Sequence, residues 1–219
     1  MLNLEILNDR DRIREGLKQP YLVLPNAFLP EVAETLYTEL QATQAWSAEK
    51  FENELYEFER DRISFDAADA PPSLTRMYEY LRSSEMLGWF STVSNRSSDD
   101  FVGFAGYYRD GHQLTKHNDM LTYAGKDGGL RARTVAFTYY LTRNWQASWG
   151  GRLIWEKPYA EILPEFNTLV LFVVGPASMH WVEPVDRNLP EKRLSLSGWY
   201  TNTLVRDARA VKKLKLSLG

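Results

Sequence analysis

The sequence predicts a mainly β domain preceded by helices, an α+β arrangement, and two observations carry this prediction. In the second half of the chain, short β-rich runs alternate with turn signals, as in all-β sandwiches and barrels. In the first third, prolines begin two segments whose apolar residues recur at helical spacing. With 219 residues, 44% of them hydrophobic, the chain is long enough for one sizeable core, so we expect a single domain over residues 1–219.

The β-rich runs begin at residue 101 and are separated by turn signals such as Asp110-Gly111 and Gly150-Gly151. The runs are FVGFAGYY (101–108), HQLTKHND (112–119), RTVAFTYYLT (133–142), RLIWE (152–156), TLVLF (168–172) and RLSLSGWY (193–200). We expect them to form the β core over residues 101–205. The basic segment 206–219 that follows is expected to be a solvated tail.

Residues 1–100 are expected to give mostly helical support to that core. A short strand at 21–24 precedes a helix that begins at Pro30, and Pro71 and Pro72 begin a second helix. Residues 47–66 mix charged and aromatic side chains without a clear period. This segment is either partly mobile or a helix and a strand.

The composition excludes several classes of function. The chain has no cysteine, which rules out disulfides, thiolate zinc sites and iron–sulfur clusters. Its formal net charge of -3 argues against a nucleic-acid partner held by bulk electrostatics. Because we find neither a signal-peptide core nor an apolar run of the roughly 20 residues that span a bilayer, we expect a cytoplasmic protein without a membrane partner.

Three histidines are the only imidazoles available to a metal. His117 and Asp119 lie two residues apart in a predicted strand, where alternation places their side chains on one face. His180 follows the predicted buried strand 168–172. Two histidines and one carboxylate suit Fe(II) with open positions opposite, and they also suit zinc. A His-x-Asp tripeptide alone is weak evidence, and His180 could merely pack against Trp181.

Arg193 adds a reason to expect a redox site. The side chains of the last predicted strand alternate between two faces. One of these faces carries Arg193, Ser195, Ser197 and Trp199. An arginine that faces the interior of a barrel is costly unless it pairs with an anion. A dicarboxylate co-substrate would supply that anion, and Ser197 would donate a further hydrogen bond to it.

The sequence resembles the 2-oxoglutarate- and Fe(II)-dependent dioxygenases, in particular the prolyl 4-hydroxylase-like branch. The matching stretches are PYLVLPNAFLPEVAETL, YYRDGHQLTKHND, RTVAFTYYLTRNW, SWGGRLIWE, FNTLVLF, MHWVEPV and RLSLSGWY. The resemblance covers most of residues 19–203 and keeps the order His-x-Asp, His, Arg. It implies a double-stranded β-helix, or jelly-roll, core with supporting N-terminal helices.

The resemblance also implies roles for individual residues. It places iron on His117, Asp119 and His180, and the far carboxylate of 2-oxoglutarate on Arg193. Tyr108 and Tyr140 match positions that touch the co-substrate, with Tyr107 and Tyr139 on the opposite faces, although each tyrosine could equally be a core aromatic. Arg133 and Trp199 match positions at the pocket mouth where substrate is held. His112 matches no ligand position and is expected at the surface or beside the site. A metal site formed by His112 and His117 is the less favoured alternative.

The activity that this resemblance implies is hydroxylation of an unactivated C–H bond with Fe(II), 2-oxoglutarate and O2, giving succinate and CO2. A prolyl residue of a protein or peptide is the first substrate we expect, and a free amino acid or small natural product is the alternative. Residues 47–66 could form a lid over such a substrate. A zinc hydrolase and a non-catalytic ligand-binding barrel remain open outside this class. The chain is expected to be a monomer or a homodimer.

Overall fold

The computed structural model describes residues 1–54, 56–125 and 128–205, which form one antiparallel β-sheet with helices along one side. The predicted tail 206–219 lies outside the described residues. The strands are β1 (Leu22–Leu24), β2 (Ser47–Glu52), β3 (Glu57–Ser64), β4 (Asp100–Tyr108), β5 (Leu114–His117), β6 (Thr122–Ala124), β7 (Leu130–Tyr140), β8 (Leu153–Trp155), β9 (Ala160–Ile162), β10 (Thr168–Val173), β11 (His180–Val182) and β12 (Arg193–Val205).

The sheet follows the order β1-β10-β7-β12-β4-β3-β5-β11-β8-β9, with β2 added to β3 and β6 added to β7. The sheet curls, so that β5, β8 and β11 face β4, β7 and β12 across a shared interior. This is the mainly β, jelly-roll arrangement that the sequence predicts. Each predicted β run contains a strand. A strand buries the side chains of one face, and the apolar residues that recur at every second position occupy that face.

Helices cover the outer face of the sheet. They are α1 (Leu4–Asn8), α2 (Arg10–Gly16), α3 (Pro30–Ala42), α4 (Pro72–Leu81) and α5 (Ser84–Ser94). Pro30 occupies the first turn of α3, where its missing N–H costs nothing, and the helix buries Ala33, Leu36 and Leu40 at helical spacing. The described residues contain no helix long and apolar enough to span a membrane.

The main core lies between the helices and the outer face of β4, β7, β10 and β12. Its fully buried aromatic side chains include Phe28, Phe90, Phe101, Phe137 and Tyr200. Burial of each such side chain contributes about 1.5–3 kcal/mol. Leu194 and Leu196 also point into this core, so the alternate residues of β12 point into the interior of the curled sheet.

The segment at 47–66, whose structure the sequence left unresolved, is a β-hairpin made of β2 and β3. The described residues of this segment form no helix. β3 also pairs with β4 and touches β5, so the N-terminal region supplies part of the sheet as well as helices. Because strands place successive side chains on opposite faces, these residues show no helical period.

The sequence also did not predict the helices α1, α2 and α5 or the short strands β6, β9 and β11. The helix starts are nevertheless encoded locally, since the side chains of Asn3, Asp9 and Ser83 accept hydrogen bonds from first-turn N–H groups. The short strands carry three residues each, too few for a period to appear.

Candidate active site

Most of the predicted site residues meet in one pocket inside the curled sheet. Those that line it are Tyr108, His117, Asp119, Tyr140, His180, Arg193, Ser197 and Trp199. Arg133 lines an adjoining cleft. Strand register produces this convergence: His180 pairs with His117 between β11 and β5, and Arg193 pairs with Tyr108 between β12 and β4.

His117, Asp119 and His180 form a cluster whose ligand atoms lie within 4.8 Å of one another. The Nδ1 of His117 lies 2.8 Å from the carbonyl of Thr115, and the Nδ1 of His180 lies 2.8 Å from the carbonyl of Ser178. Because a carbonyl only accepts, each Nδ1 carries the proton and each Nε2 is left with a free lone pair. Both Nε2 atoms face Asp119, at 3.5 Å and 3.8 Å.

The environment keeps Asp119 ionised. Burial by itself would raise its pKa, but the neighbouring imidazoles of His117 and His180 and the charge of Arg133 lower it well below its ordinary value. Burial lowers the pKa of His180, which favours its neutral form. A neutral imidazole and an ionised carboxylate are the forms that bind a divalent metal.

Asp119 reaches the cluster by a different route from the one the sequence predicts. β5 ends at His117, so Asp119 is not a strand residue. The side chain of Asn118 accepts a hydrogen bond from the N–H of Met120, and the turn this bond closes contains Asp119. The side chain of Asp119 is buried although its backbone has left the sheet.

Arg193 lies at the other end of the pocket and is only 1% exposed. Within the described residues, no carboxylate lies within ion-pair distance of it. Its guanidinium carbon lies 4.9 Å from the ring centre of Tyr108 and 5.3 Å from that of Tyr140. A buried guanidinium without a counter-ion is costly, so this end of the pocket is built for an anionic ligand.

Tyr140 supports the same conclusion, because its hydroxyl is buried and has no hydrogen-bond partner. Burial raises the pKa of Tyr140, although the charge of Arg193 opposes this shift, so the hydroxyl remains a donor. Tyr139, its neighbour, faces the opposite side of β7 and donates to the side chain of Asn167 in the core. Tyr107 likewise faces away from Tyr108 and packs against Trp46.

Arg133 and Trp199 form the mouth of the pocket. The guanidinium carbon of Arg133 lies 3.5 Å from the ring centre of Trp199, a cation–π stack. One guanidinium nitrogen of Arg133 is 3.5 Å from Asp119, so the mouth and the metal cluster are in contact.

Sequence reasoning missed residues of the pocket wall, among them Arg60 and Thr138. Alternation could have found Thr138, since it is two residues before Tyr140 on β7. Arg60 carries no such signal because it comes from the hairpin.

The sequence matches the family model of the 2OG-Fe(II) oxygenase superfamily over residues 104–201, the segment that holds the cluster and Arg193. The chain is therefore similar to this superfamily over the β core. Fe(II), 2-oxoglutarate and O2 are the metal and co-substrates of the superfamily, and the site fits them. Two free Nε2 lone pairs and one carboxylate suit Fe(II), and the unneutralised Arg193 with the unpartnered Tyr140 hydroxyl suits a dicarboxylate.

The chain is also similar to curated prolyl hydroxylases. It is 30% identical to prolyl 3,4-dihydroxylase OGFOD1 of Ostreococcus tauri over 151 residues, which cover 62% of the chain and 27% of that protein. It is 28% identical to prolyl 3-hydroxylase OGFOD1 of Xenopus laevis over 158 residues, which cover 68% of the chain and 28% of that protein. The chain therefore spans little more than a quarter of the length of these relatives.

Solved structures share the fold. A Pseudomonas putida prolyl-4-hydroxylase superposes with a TM-score of 0.64 at 19% identity, and the match covers 87% of the present protein and 97% of that chain. A Trichoplax adhaerens prolyl hydroxylase, in complex with a hypoxia-inducible factor peptide, superposes with a TM-score of 0.62 at 19% identity. This match covers 90% of the present protein and 93% of that chain. These likenesses confirm the jelly-roll core.

His112 is not at the surface, contrary to one of the two expectations. Its side chain is buried, with Nε2 4.0 Å from Glu59, and it lies outside the metal cluster. Its backbone carbonyl accepts from Val185, and its N–H donates to Arg109, so residue 112 holds the loop after β4.

Proposed function

We propose that this chain catalyses the Fe(II)- and 2-oxoglutarate-dependent hydroxylation of a prolyl residue in a protein or peptide. One oxygen atom of O2 enters the C–H bond, and the other enters succinate as 2-oxoglutarate loses CO2. The observation that carries the proposal is that the three-ligand cluster and the unneutralised Arg193 share one pocket. The curated relatives that match the chain are prolyl hydroxylases, which favours proline as the target.

In this reaction, His117, Asp119 and His180 would hold the iron, which supplies the oxidising chemistry when bound. Because three protein ligands leave coordination positions open, the co-substrates can enter beside the cluster. The walls fix the geometry: the ring of His180 stacks on Trp155 at 5.6 Å with an interplanar angle of 6°.

Arg193 and Tyr140 would bind the far carboxylate of 2-oxoglutarate. A guanidinium can hold a carboxylate through two hydrogen bonds, and the tyrosine hydroxyl adds a third. Ser195 and Ser197 extend along the same wall of β12 and can donate to the bound co-substrate. Because this end of the pocket is buried, each of these bonds is stronger than in water.

A zinc hydrolase is disfavoured by the same pocket. Such an enzyme needs a general base beside the metal, and Asp119 is the only carboxylate among the described residues that line the pocket. A non-catalytic barrel would leave the buried charge of Arg193 without a purpose.

We also propose that the β2–β3 hairpin contacts the substrate. Its aromatic residue Tyr56 stacks on His117 with ring centres 5.7 Å apart, which places the hairpin over the metal cluster. Limited proteolysis with and without metal, 2-oxoglutarate analogue and peptide tests the hairpin as a lid. Cleavage at unchanged rates would count against it.

The test of the proposed reaction is to incubate the protein with Fe(II), 2-oxoglutarate, O2 and either proline-containing peptides or free amino acids. We expect a peptide to gain one oxygen atom and succinate to form in equal amount. Arg193→Ala should weaken 2-oxoglutarate binding far more than iron binding, with His112→Ala as the matched control. If only free amino acids gain oxygen, the substrate is a free amino acid and not a peptide. If neither an oxygenated product nor succinate forms, the proposal is refuted.

A further inference from the structure

A second cleft opens beside the active-site pocket, with a volume of about 780 Å³. It lies between β3, β4, β7 and β12. Arg60, Phe104 and Trp199 line both the pocket and the cleft, so the two spaces adjoin at these residues. A chain that enters the pocket with one residue therefore has room in the cleft for its neighbours.

The charged lining of this cleft consists of two aspartates, Asp66 and Asp100, and five arginines: Arg60, Arg62, Arg82, Arg131 and Arg133. Arg82 and Arg131 are paired with acids, since both contact Asp100 and Arg131 also contacts Asp99. The charges of these two arginines are therefore balanced locally.

Arg60 and Arg62 are not balanced in this way, because they share one carboxylate. Glu49 on the neighbouring strand lies 2.7 Å from Arg60 through one oxygen and 2.9 Å from Arg62 through the other. Among the described residues this is the only acid within ion-pair distance of either guanidinium. The pair keeps one positive charge in excess, and the side chain of Arg62 is 30% exposed to the cleft.

These two arginines are held in place before any ligand arrives. The guanidinium carbon of Arg60 lies 4.2 Å from the ring centre of Phe58 and 4.0 Å from that of Phe104. Arg62 lies 5.1 Å from Phe104. Stacked guanidinium groups lose little further conformational entropy on binding, which favours recognition of a planar anion.

Arg133, on the opposite wall, is also short of partners. Its Nε is buried without a hydrogen bond, and the acid within ion-pair distance is Asp119 at 3.5 Å. Asp119 is the proposed metal ligand, so a bound cation takes up much of its charge. Arg62, Arg133 and Trp199 are donor-only side chains, and a ligand that suits them must bring acceptors.

We propose that Arg60, Arg62, Arg133 and Trp199, together the arginine cleft, bind an acidic side chain of the polypeptide substrate close to the residue that is hydroxylated. This inference rests on the proposed function, since it names the class of sequence that the enzyme selects. The net charge of -3 for the whole chain opposes a long polyanion, whereas one or two carboxylates match the local excess of positive charge.

Binding of fluorescein-labelled peptides, followed by anisotropy, tests the cleft. The probes are repeating Pro-Glu and Pro-Gln peptides of equal length, and the proteins are the wild type, Arg62→Gln and Arg10→Gln. We expect the wild type to bind the Pro-Glu peptide about tenfold more tightly, because a charge-assisted hydrogen bond is lost with Gln. Arg62→Gln should abolish most of this ratio, and added salt should reduce it.

Arg10→Gln is the matched control, because it removes one positive charge from the exposed surface of α2, outside the cleft lining. It should keep the full preference for Glu. Equal affinity of the wild type for the two peptides overturns the proposal, as does a preference that survives in Arg62→Gln. Two further results also overturn the proposal. One is a single-stranded oligothymidylate that binds as tightly as the Pro-Glu peptide. The other is displacement of the Pro-Glu peptide by free glutamate at matched concentration.

The same peptides separate this proposal from the proposed reaction. Conversion of 2-oxoglutarate to succinate is measured with each peptide, together with the oxygen gained by the peptide. Hydroxylation of both peptides at equal kcat/KM refutes the arginine cleft alone. Selective binding of Pro-Glu without hydroxylation of any proline-containing peptide supports the cleft and refutes the reaction.

Discussion

The Nε–H of Arg193 donates a hydrogen bond to the backbone carbonyl of Gly151, which belongs to a turn 42 residues earlier in the chain. This turn includes Gly150, whose carbonyl accepts from the indole of Trp145. Gly151 adopts a φ of +66°, and a Cβ there would lie 2.8 Å from Cδ and 3.2 Å from Nε of Arg193. The turn therefore fixes the guanidinium and leaves its outer nitrogens free for the proposed contact with the co-substrate.

Gly151→Ala should accordingly displace Arg193 and weaken 2-oxoglutarate binding by about tenfold or more, while Mn(II) or Fe(II) still binds. A left-handed alanine costs about 1–2 kcal/mol in addition. Anaerobic calorimetric titration of the metal-loaded protein with 2-oxoglutarate measures the effect. Gly175→Ala is the control, because a Cβ at Gly175 meets nothing within 4 Å. Unchanged affinity in a folded Gly151→Ala protein would show that the turn does not position Arg193.

Tyr140→Phe and Tyr139→Phe form a matched pair of substitutions. The Tyr140 hydroxyl is buried without a partner, so its removal should leave the unfolding free energy equal or higher, yet lower 2-oxoglutarate affinity by about 1.5–3 kcal/mol. The Tyr139 hydroxyl lies 2.9 Å from Asn167, so its removal should cost about 1 kcal/mol of stability and spare the affinity. Urea unfolding and 2-oxoglutarate titration would distinguish them, and the opposite pattern would exclude Tyr140 from the co-substrate site.

Metal binding should stabilise the fold through the histidine cluster. At a free metal concentration of 100 times Kd, binding adds about 2.7 kcal/mol to the unfolding free energy. His117→Ala and His180→Ala should remove this gain, and His112→Ala should retain it, because His112 lies outside the cluster. Thermal unfolding with Mn(II) and with a chelator measures the difference. A gain that persists without His180 would place the metal elsewhere.

Glu49 makes the stability of the hairpin depend on pH. Burial would raise the pKa of Glu49, but the charges and hydrogen bonds of Arg60 and Arg62 lower it below its usual 4.5. Because the folded-state pKa is the lower one, the contribution to stability is complete above pH 4.5 and is lost as the pH falls through the folded-state pKa. Glu49→Gln should therefore lose less unfolding free energy than the wild type between about pH 7 and about pH 3.5.

Urea unfolding at several pH values checks this prediction. Glu5→Gln, which removes an exposed carboxylate from α1, should follow the wild-type curve. If Glu49→Gln also follows that curve, the carboxylate that Arg60 and Arg62 share contributes nothing to stability.

The sequence by itself determined the chemistry of the site. Residue type and spacing are local properties, so the His-x-Asp pair, His180 and the arginine at 193 could be identified before any contact was known. Alternation placed Ser197 and Trp199 on the face of Arg193, since a strand has a fixed period of two. Family resemblance supplied the assignment to a metal and a co-substrate.

The tertiary structure decided what surrounds these groups. The carbonyl of Gly151 reaches Arg193 only because the turn and β12 are brought together by the curl of the sheet. The hairpin brings Arg60 to the pocket wall and pairs it with Glu49, and no periodic pattern in the sequence predicts this. Asp119 joins the cluster from a turn beyond its strand. Each of these relationships depends on contacts between distant segments, which pattern along the chain does not encode.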